Sequence, residues 1–494
     1  MVGVSFGIVN YAILALYLIG VLGIGMGLTR RQKTSDDYFL AGRNMPWIIV
    51  GMSMFASMTS AISYMGMPGT AVKEDISILA GYYLSPVVAP FVILLFYPLY
   101  RKLNVTTSYE YIFRRYGESA RYGVSGLFLL ARLGWLGAVI YAPALVLSVM
   151  TGMSLYLAIL ILGVVATAYT VAGGLKAVVL TDALQFVVLV VGAVFVAVSL
   201  SRNVAGGVPG IVRTAASSGH LFNLRFTFFE ACVLAFGVSY FFSFMQDYGC
   251  DQVAVQRLLA AKSFGGMARA TLFNSMVDVF MFSLLAFIGL GLFAYYQQVP
   301  AGGVSGDKLL PHYIISALPT GISGLSIAGI FVAAIASGGA GIHSMSTVLV
   351  NDFVRPLTGK ELPGAKAVLL GRFLTGTIGV LGTGMAFYVS SIEQILKASN
   401  MILGLFNGPI LALFLLGVLT TRTHFRGWLC GAGAGIALTV AIMNVPIAGQ
   451  RIHWAFYMPF SVLVSGAVGY AASLVLAGPH VDVELTLWRL LRRS

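Results

Sequence analysis

Four hydroxyl-bearing side chains interrupt a strongly apolar stretch near the start of the chain. Residues 51–64 read GMSMFASMTSAISY, which places Ser57, Thr59, Ser60 and Ser63 near the middle of a membrane-length span. Hydrocarbon cannot satisfy free backbone groups, so a broken helix at that depth is stable only beside protein or a watery cavity. Exposed carbonyls and hydroxyls suit a dehydrated cation or a small polar solute. The stretch therefore predicts a transport site, with helix packing and back-bonding of Ser and Thr as the alternative.

Arg132 and Asp182 are ionisable residues inside apolar spans. Arg132 is about eleven residues, or roughly 16 Å at helical rise, into the fourth span. A guanidinium can bind a carboxylate through two hydrogen bonds, which makes Arg132 a candidate for holding an anionic solute. The alternative is that it extends toward the cytoplasm or pairs with an internal acid such as Asp182. An ionised carboxylate is costly within a membrane, so Asp182 is a candidate coupling residue.

The remaining candidate pocket residues follow from position on the broken helix and its neighbours. They are small, sulfur-containing or aromatic, which suits a smaller and less hydroxylated solute than a sugar. The expected solute-binding set is Ser57, Met58, Ser60, Ser63, Tyr82, Arg132, Trp135 and Phe242. Packing between helices is the alternative role for the aromatic members.

Composition places the chain in a membrane. Hydrophobic residues make up 58% and charged residues 10% of the sequence, with a mean hydropathy of +0.90. A soluble domain would carry about a quarter charged residues. We therefore expect an all-α integral membrane protein embedded in the lipid bilayer. No His, Asp or Glu cluster has catalytic spacing, so we do not expect an enzyme.

The hydropathy pattern predicts thirteen spans with a defined orientation. Although the net charge is +13, the Lys and Arg residues concentrate in alternate loops, which indicates membrane topology and not nucleic-acid binding. The positive-inside rule then places the N-terminus outside and the C-terminus in the cytoplasm. The predicted spans are 6–28, 46–71, 78–100, 121–150, 154–172, 175–200, 227–248, 270–296, 321–350, 364–389, 392–419, 427–446 and 454–478.

Two further patterns concern breaks between or within spans. Gly173 and Gly174 predict a tight cytoplasmic turn between the fifth and sixth spans. A second polar stretch, SYFFSFMQDYG at 239–249, predicts an interruption of the seventh span. Spans two and seven are five apart, as expected if two five-helix halves each begin with a discontinuous helix.

The string AYTVAGGLKAVVLTDALQ at 168–185 resembles the signature of the sodium:solute symporter family. Further segments in the same order resemble its other conserved regions. These segments are RQKTSDDYFLAGR at 31–43, SYEY at 108–111, GCDQVAVQR at 249–257, NGP at 407–409 and LLG at 415–417. Residues 56–68 and IYAPAL at 140–145 look most like the monocarboxylate, iodide and multivitamin branch. The first loop looks equally like that of the sialic acid symporters.

The resemblance implies the leucine-transporter-type fold, with two inverted five-helix repeats, in a single transmembrane transporter domain over 1–494. A peripheral first helix at 6–28 would precede the first repeat at 46–200. The second repeat would follow at 227–419. Two peripheral helices at 427–478 and a cytoplasmic tail at 479–494 would complete the chain.

The resemblance also implies one sodium site between the second and ninth spans. Its ligands would be the carbonyls of Ala56, Thr59 and Ala333 and the hydroxyl of Ser337. The family usually has a second hydroxyl just before Ser337, where this chain has Ala336. A hard cation prefers several oxygen ligands, so this substitution should weaken the site. Gly339 and Ala340 replace serines that hold a second sodium in some members.

We therefore expect a sodium-coupled symporter of the inner membrane that is functional as a monomer. It would import a small organic anion, a monocarboxylate, by alternating access. One alternative is a proton-coupled or uncoupled carrier of the same fold, in which His343 and Asp182 would become candidates for proton transfer. Another is a sodium symporter for sialic acid, an amino acid, a sugar or a vitamin. A membrane sensory module is a third, although residue 494 follows the last span too soon for a signalling domain.

Overall fold

The computed structural model describes residues 7–29, 35–300, 303–359, 364–391, 395–447, 449–478 and 481–491. Within these ranges the chain is helical, and β-structure is confined to two isolated bridges. The helices are α1 (Ile8–Thr29), α2 (Ser35–Leu40), α3 (Trp47–Met58), α4 (Ala61–Lys73), α5 (Ile78–Tyr82), α6 (Ser85–Leu95), α7 (Tyr97–Leu103), α8 (Ser108–Tyr116), α9 (Glu118–Thr151), α10 (Leu155–Asn203), α11 (Gly207–Ser217), α12 (Val233–Gly249), α13 (Gln252–Leu259), α14 (Phe264–Gln298), α15 (Leu309–Ala317), α16 (Ile322–Val348), α17 (Arg355–Thr358), α18 (Gly364–Val389), α19 (Ile395–Leu419), α20 (Phe425–Asn444), α21 (Tyr457–Val475) and α22 (Leu487–Leu491). A π-helical segment, Leu349–Val354, joins α16 to α17.

The expected all-helical membrane fold is confirmed, although the number of spans is not. In the part of the chain that the structure describes, eight helices are long and apolar enough to cross a membrane. The bent pair α3 and α4 makes a ninth if it is counted as one span, and three shorter apolar helices accompany them. The total of thirteen spans stays a prediction.

The helix break predicted in the second span is present. Helix α3 ends at Met58, α4 begins at Ala61, and the two are bent by 60°. Thr59 and Ser60 between them have extended backbone. The Ser60 hydroxyl accepts a hydrogen bond from the Ile62 amide at 3.2 Å, which satisfies one free donor at the start of α4. The hydroxyl-rich sequence thus supplies its own N-cap.

Helix α16 is the most buried long helix among those described. From Ser323 to Val348 all of its residues are buried except Leu325, which is partly buried. It packs against α1, α3, α4, α9, α10 and α18. Its small residues allow these close approaches, since a Cβ added at Gly341 would lie 3.0 Å from the Trp135 ring on α9. Helix packing and sodium binding, the two roles predicted for α16, both require such close contact with neighbouring helices.

Two predicted features of the chain path are wrong. The backbone stays helical through Gly173 and Gly174, within the 49-residue helix α10, so the predicted turn does not form there. Helix α10 therefore includes residues of both the fifth and the sixth predicted spans. The second correction concerns 239–249, which is continuous helix in α12.

The break in the seventh span lies just beyond that stretch. Helix α12 ends at Gly249, and α13 starts at Gln252 after the two non-helical residues Cys250 and Asp251. The Asp251 carboxylate accepts a hydrogen bond from the Val253 amide at 2.8 Å and so caps α13. The Asp251 side chain therefore sets where the helix restarts. Inverted repeats with boundaries at 46–200 and 227–419 stay a prediction.

Candidate functional site

A cavity of about 150 Å³ lies beside the break between α3 and α4. Residues from nine helices, from the break itself and from the short turn Trp454–Phe456 surround it. The lining residues are Ser57, Met58, Thr59, Ser60, Ile62, Ser63, Tyr82, Arg132, Trp135, Ser239, Tyr240, Ser243, Phe244, Gln246, Asp247, Val253, Asp278, Phe282, Leu403, Gly404, Asn407, Trp454 and Met458. Hydroxyls, carboxylates, amides and aromatic rings thus meet at one place inside an otherwise apolar helix assembly.

Seven of the eight predicted solute-binding residues line this cavity, namely Ser57, Met58, Ser60, Ser63, Tyr82, Arg132 and Trp135. Phe242 does not, which corrects its predicted placement. Its ring packs on Phe241 with 5.5 Å between centroids, and Phe244 faces the cavity instead. Whether the seven residues bind a solute stays a prediction.

Sequence reasoning missed the contribution of α12 to the cavity. Ser239, Ser243, Gln246 and Asp247 recur at helical spacing, which puts them on one face. The prediction of an interruption at 239–249 leaves no such face. A test for helical periodicity over 239–249 would have identified this face and excluded Phe242 from it.

Arg132 forms an ion pair with Asp251, so the predicted alternative partner Asp182 is wrong. The guanidinium also lies over the Trp135 ring at 4.6 Å from its centroid. Arg132 is only 6% exposed, yet it still contributes to the cavity wall. Since Asp251 is anchored as the cap of α13, the ion pair holds the guanidinium in place beside the cavity.

Asp182 belongs to a second buried ion pair. Its Oδ2 atom accepts hydrogen bonds from Ser53 at 2.7 Å and from Arg257 at 3.0 Å. Its other oxygen, Oδ1, has no partner among the described residues. The Arg257 guanidinium also donates to Ser53, so α3, α10 and α13 meet at this point. The costly carboxylate predicted from the sequence is thus neutralised by an arginine.

Four polar residues tie the short helix α13 to its surroundings, and we call them the α13 cluster: Asp251, Gln252, Gln256 and Arg257. Gln252 accepts a hydrogen bond from the Ser108 amide at 2.9 Å. Gln256 donates to the Phe39 carbonyl and to Thr347, and it accepts from Ser344. Each member therefore bonds a different part of the protein. The cluster connects α13 to α2, α3, α8, α9, α10 and α16.

His343 is part of this buried network. Its Nδ1 atom lies 3.3 Å from the Gln256 amide nitrogen, and its ring contacts those of Tyr38 and Phe39. Its Nε2 atom has no hydrogen-bond partner in the described part of the chain. His343 does not line the cavity. This placement is typical of a packed, hydrogen-bonded histidine.

The helix break leaves two backbone carbonyls available at the predicted sodium ligands. The Thr59 amide donates to the Phe55 carbonyl, and no later amide among the described residues donates to Ala56 or Thr59. On α16 the Ser337 hydroxyl donates to the Ala333 carbonyl at 2.6 Å, so these two predicted ligands are adjacent. Helix α16 packs against α3 and α4. Whether these four groups bind a cation together stays a prediction.

Aromatic rings form part of the cavity wall. The Tyr82 ring stacks on Phe282 and contacts Tyr240 at 4.7 Å between centroids. A Cβ added at Gly81 would lie 2.6 Å from the Tyr240 ring, so the absence of a side chain there permits the contact between α5 and α12. The wall is therefore rigidly packed.

The combination of a helical membrane fold, a broken helix with free carbonyls and an adjoining polar cavity defines the class of secondary transporters. The comparisons specify the family. The profile of the sodium:solute symporter family matches residues 38–435. The chain belongs to this family, as its sequence motifs indicated.

Relatives within the family transport different solutes. The chain is 31% identical over 478 residues to the sodium/sialic acid symporter NanT of Aliivibrio fischeri, covering 94% of this chain and 93% of the relative. It is 29% identical to the human sodium-coupled monocarboxylate transporter 2, over 88% and 72% of the two chains. A solved structure of a Na⁺-coupled sialic acid symporter, substrate-bound and outward-open, superimposes with a TM-score of 0.89 at 27% identity, covering 97% of this chain and all of the other.

The ion pair between Asp182 and Arg257 provides a test of the α13 cluster. Asp182→Asn would leave the Arg257 guanidinium buried without a counter-ion, which costs about 3–5 kcal/mol. We expect α13 to loosen and the buried thiol of Cys250 beside it to react with a small maleimide about tenfold faster or more. The measurement is the labelling rate in a Cys232→Ser, Cys430→Ala background, because those are the other two cysteines.

Glu118→Gln is the matched control, since Glu118 is a half-exposed carboxylate paired with Arg121. It should leave the labelling rate unchanged. Equal rates in the Asp182→Asn and Glu118→Gln proteins would mean that the ion pair does not hold α13 in place.

Proposed function

We propose that this protein is a sodium-driven symporter that imports a small solute bearing a carboxylate group. The observation that carries the proposal is the break at Thr59 and Ser60. Among the described residues, no amide donates to the carbonyls of Ala56 and Thr59, and the polar cavity adjoins this break. Membership of the sodium:solute symporter family supports sodium as the coupling ion.

In the proposed mechanism, one sodium ion bridges the broken helix and α16. The carbonyls of Ala56 and Thr59 would bind it from one side, and Ala333 and Ser337 from the other. Its charge would hold α3 against α16 and order the residues at the break. Thr59 is both a proposed sodium ligand and a cavity residue, so sodium and solute should each raise the other's affinity by the same factor.

The proposed solute group is a carboxylate because Arg132 is the only cationic side chain in the described cavity lining. A guanidinium has several donors, and Arg132 bonds Asp251 through one nitrogen. A cavity of about 150 Å³ favours a small solute such as a short monocarboxylate. The relatives that transport monocarboxylates and sialic acid support an acid as the substrate.

A proton-coupled or uncoupled carrier is the second candidate. It is favoured by Ala336, which contributes no hydroxyl to the sodium site where the family usually has one.

We further propose an inner-membrane location, an external N-terminus, a cytoplasmic C-terminus and a functional monomer, as the distribution of basic residues and the family resemblance suggest.

Uptake by purified protein in liposomes tests the proposed function. Labelled short monocarboxylates, sialic acid, amino acids and a hexose are offered with an inward sodium gradient and then with sodium equalised. We expect accumulation of at least one acid that collapses when the gradient is removed, since sodium supplies the driving force. Uptake that ignores sodium and follows an imposed proton gradient would establish the second candidate instead.

Ser337→Ala tests the proposed sodium site. Loss of one of four oxygen ligands should raise the half-saturating sodium concentration about tenfold, equivalent to about 1.4 kcal/mol. The folded yield should hold because the hydroxyl bonds only carbonyls of its own helix. The measurement is the sodium dependence of initial uptake rates.

Ser346→Ala is the matched control. Ser346 is a buried serine of the same helix that donates to the Gly371 carbonyl at 2.9 Å, and it does not line the cavity. It should leave the sodium dependence unchanged. An unaltered half-saturating concentration in Ser337→Ala would remove Ser337 from the site.

A further inference from the structure

The charges on the cavity wall do not suit a simple anion. The described lining contains two carboxylates, Asp247 on α12 and Asp278 on α14, against the single guanidinium of Arg132. That guanidinium is already paired with a third carboxylate, Asp251. A solute with only a negative charge would therefore meet an excess of negative charge at short range, where like charges repel strongly.

The two carboxylates differ in their surroundings. Asp278 is held by protein donors, because its Oδ2 atom accepts hydrogen bonds from Ser85 and Asn274, each at 3.1 Å, and from Tyr248. The Asp247 side chain has no hydrogen-bond partner among the described residues, although it interacts electrostatically with Arg132, Asp251 and Asp278. Asp247 is thus the carboxylate that is available to a ligand.

A second, independent observation indicates a ligand at the same place. Gln246 is fully buried and lines the cavity, yet its Nε2 donor has no partner in the described part of the chain. Its Oε1 atom accepts from Asn407, another lining residue, at 3.2 Å. A buried donor without an acceptor is costly, so a ligand that supplies a carboxylate or carbonyl oxygen would satisfy it.

Aromatic rings specify the kind of cation that Asp247 would attract. Tyr82, Tyr240, Phe244, Phe282 and Trp454 line the same cavity as Asp247. Aromatic faces attract an ammonium group through their quadrupole, whereas a hard metal ion would need several oxygen ligands. One carboxylate among several rings therefore favours an amine over a second sodium ion.

Resting on the proposed function, we propose that the transported solute is a zwitterion, with its ammonium group at Asp247 and its carboxylate facing Arg132 and Gln246. The start of α4 also faces the cavity, since Ser60, Ile62 and Ser63 line it. The positive end of a helix dipole favours an anionic group there. The substrate class is thus an amino acid or betaine, in place of a monocarboxylate without an amine.

Matched solutes test this on the unaltered protein. Liposomes with an inward sodium gradient are offered the common amino acids and betaines, together with the deaminated acid and the decarboxylated amine of each. We expect at least one zwitterion to be taken up about tenfold or more faster than both of its matched partners. Equal or faster uptake of the deaminated acids, or no uptake of any zwitterion, overturns the inference.

The two proposals fail in different ways in this experiment. Sodium-driven uptake of monocarboxylates or sialic acid alone would keep the proposed function and overturn the zwitterion. Zwitterion uptake that ignores sodium would keep the substrate class and overturn sodium coupling.

Asp247→Asn then tests the residue itself. It should weaken the apparent affinity for the zwitterion about tenfold or more, and leave inhibition by the deaminated acid equal or stronger. Glu118→Gln is the control. It removes a carboxylate at the start of α9, away from the α9 residues that line the cavity, and it should change neither the zwitterion affinity nor the inhibition by the deaminated acid. Unchanged zwitterion affinity in a folded Asp247→Asn protein would exclude Asp247 as the ammonium site.

Discussion

The structure depends on one constraint, which is that backbone polar groups inside a membrane must find partners. At Thr59 and Ser60 the chain leaves the helix, and the usual amide-to-carbonyl bonds cannot form. The Ser60 hydroxyl accepts a hydrogen bond from one free amide at the break, that of Ile62. Among the described residues, no amide donates to the carbonyls of Ala56 and Thr59. An uncompensated carbonyl is costly in a dry environment. A cation and a polar cavity beside the break both reduce that cost.

The buried ion pairs impose a second constraint on any alternating-access movement. Arg257 with Asp182 and Arg132 with Asp251 each place a full charge away from water. Separating either pair inside the protein would leave two uncompensated charges, so movement must keep the partners together or expose both to water. Asp251 caps the start of α13 and Arg257 lies in its last turn, and this short helix is bonded on several sides. We therefore expect α13 to move as a unit with its partners or to release them only when water enters.

The sequence predicted the features that depend on local composition. The density of small and hydroxylated residues at 51–64 located the break correctly, because only such residues tolerate a helix end at that depth. The family motifs likewise identified the family.

Two kinds of feature could not be predicted from the sequence. One is which face of a helix lines the cavity, and the other is which residues far apart in the sequence come into contact. Arg132 and Asp251 are 119 positions apart, and nothing in the sequence indicates their pairing. Phe242 does not line the cavity because the helical phase of the continuous helix α12 places Phe244 there instead.

The central claim is that sodium stabilises the break between α3 and α4 by bridging it to α16. Hydrogen–deuterium exchange of the purified protein tests it directly, comparing equal concentrations of sodium and potassium chloride. The account predicts slower exchange in sodium for amides around the break and around Ser337, with no change in α20, which lies outside the proposed site. Identical exchange at the break in the two salts would contradict it.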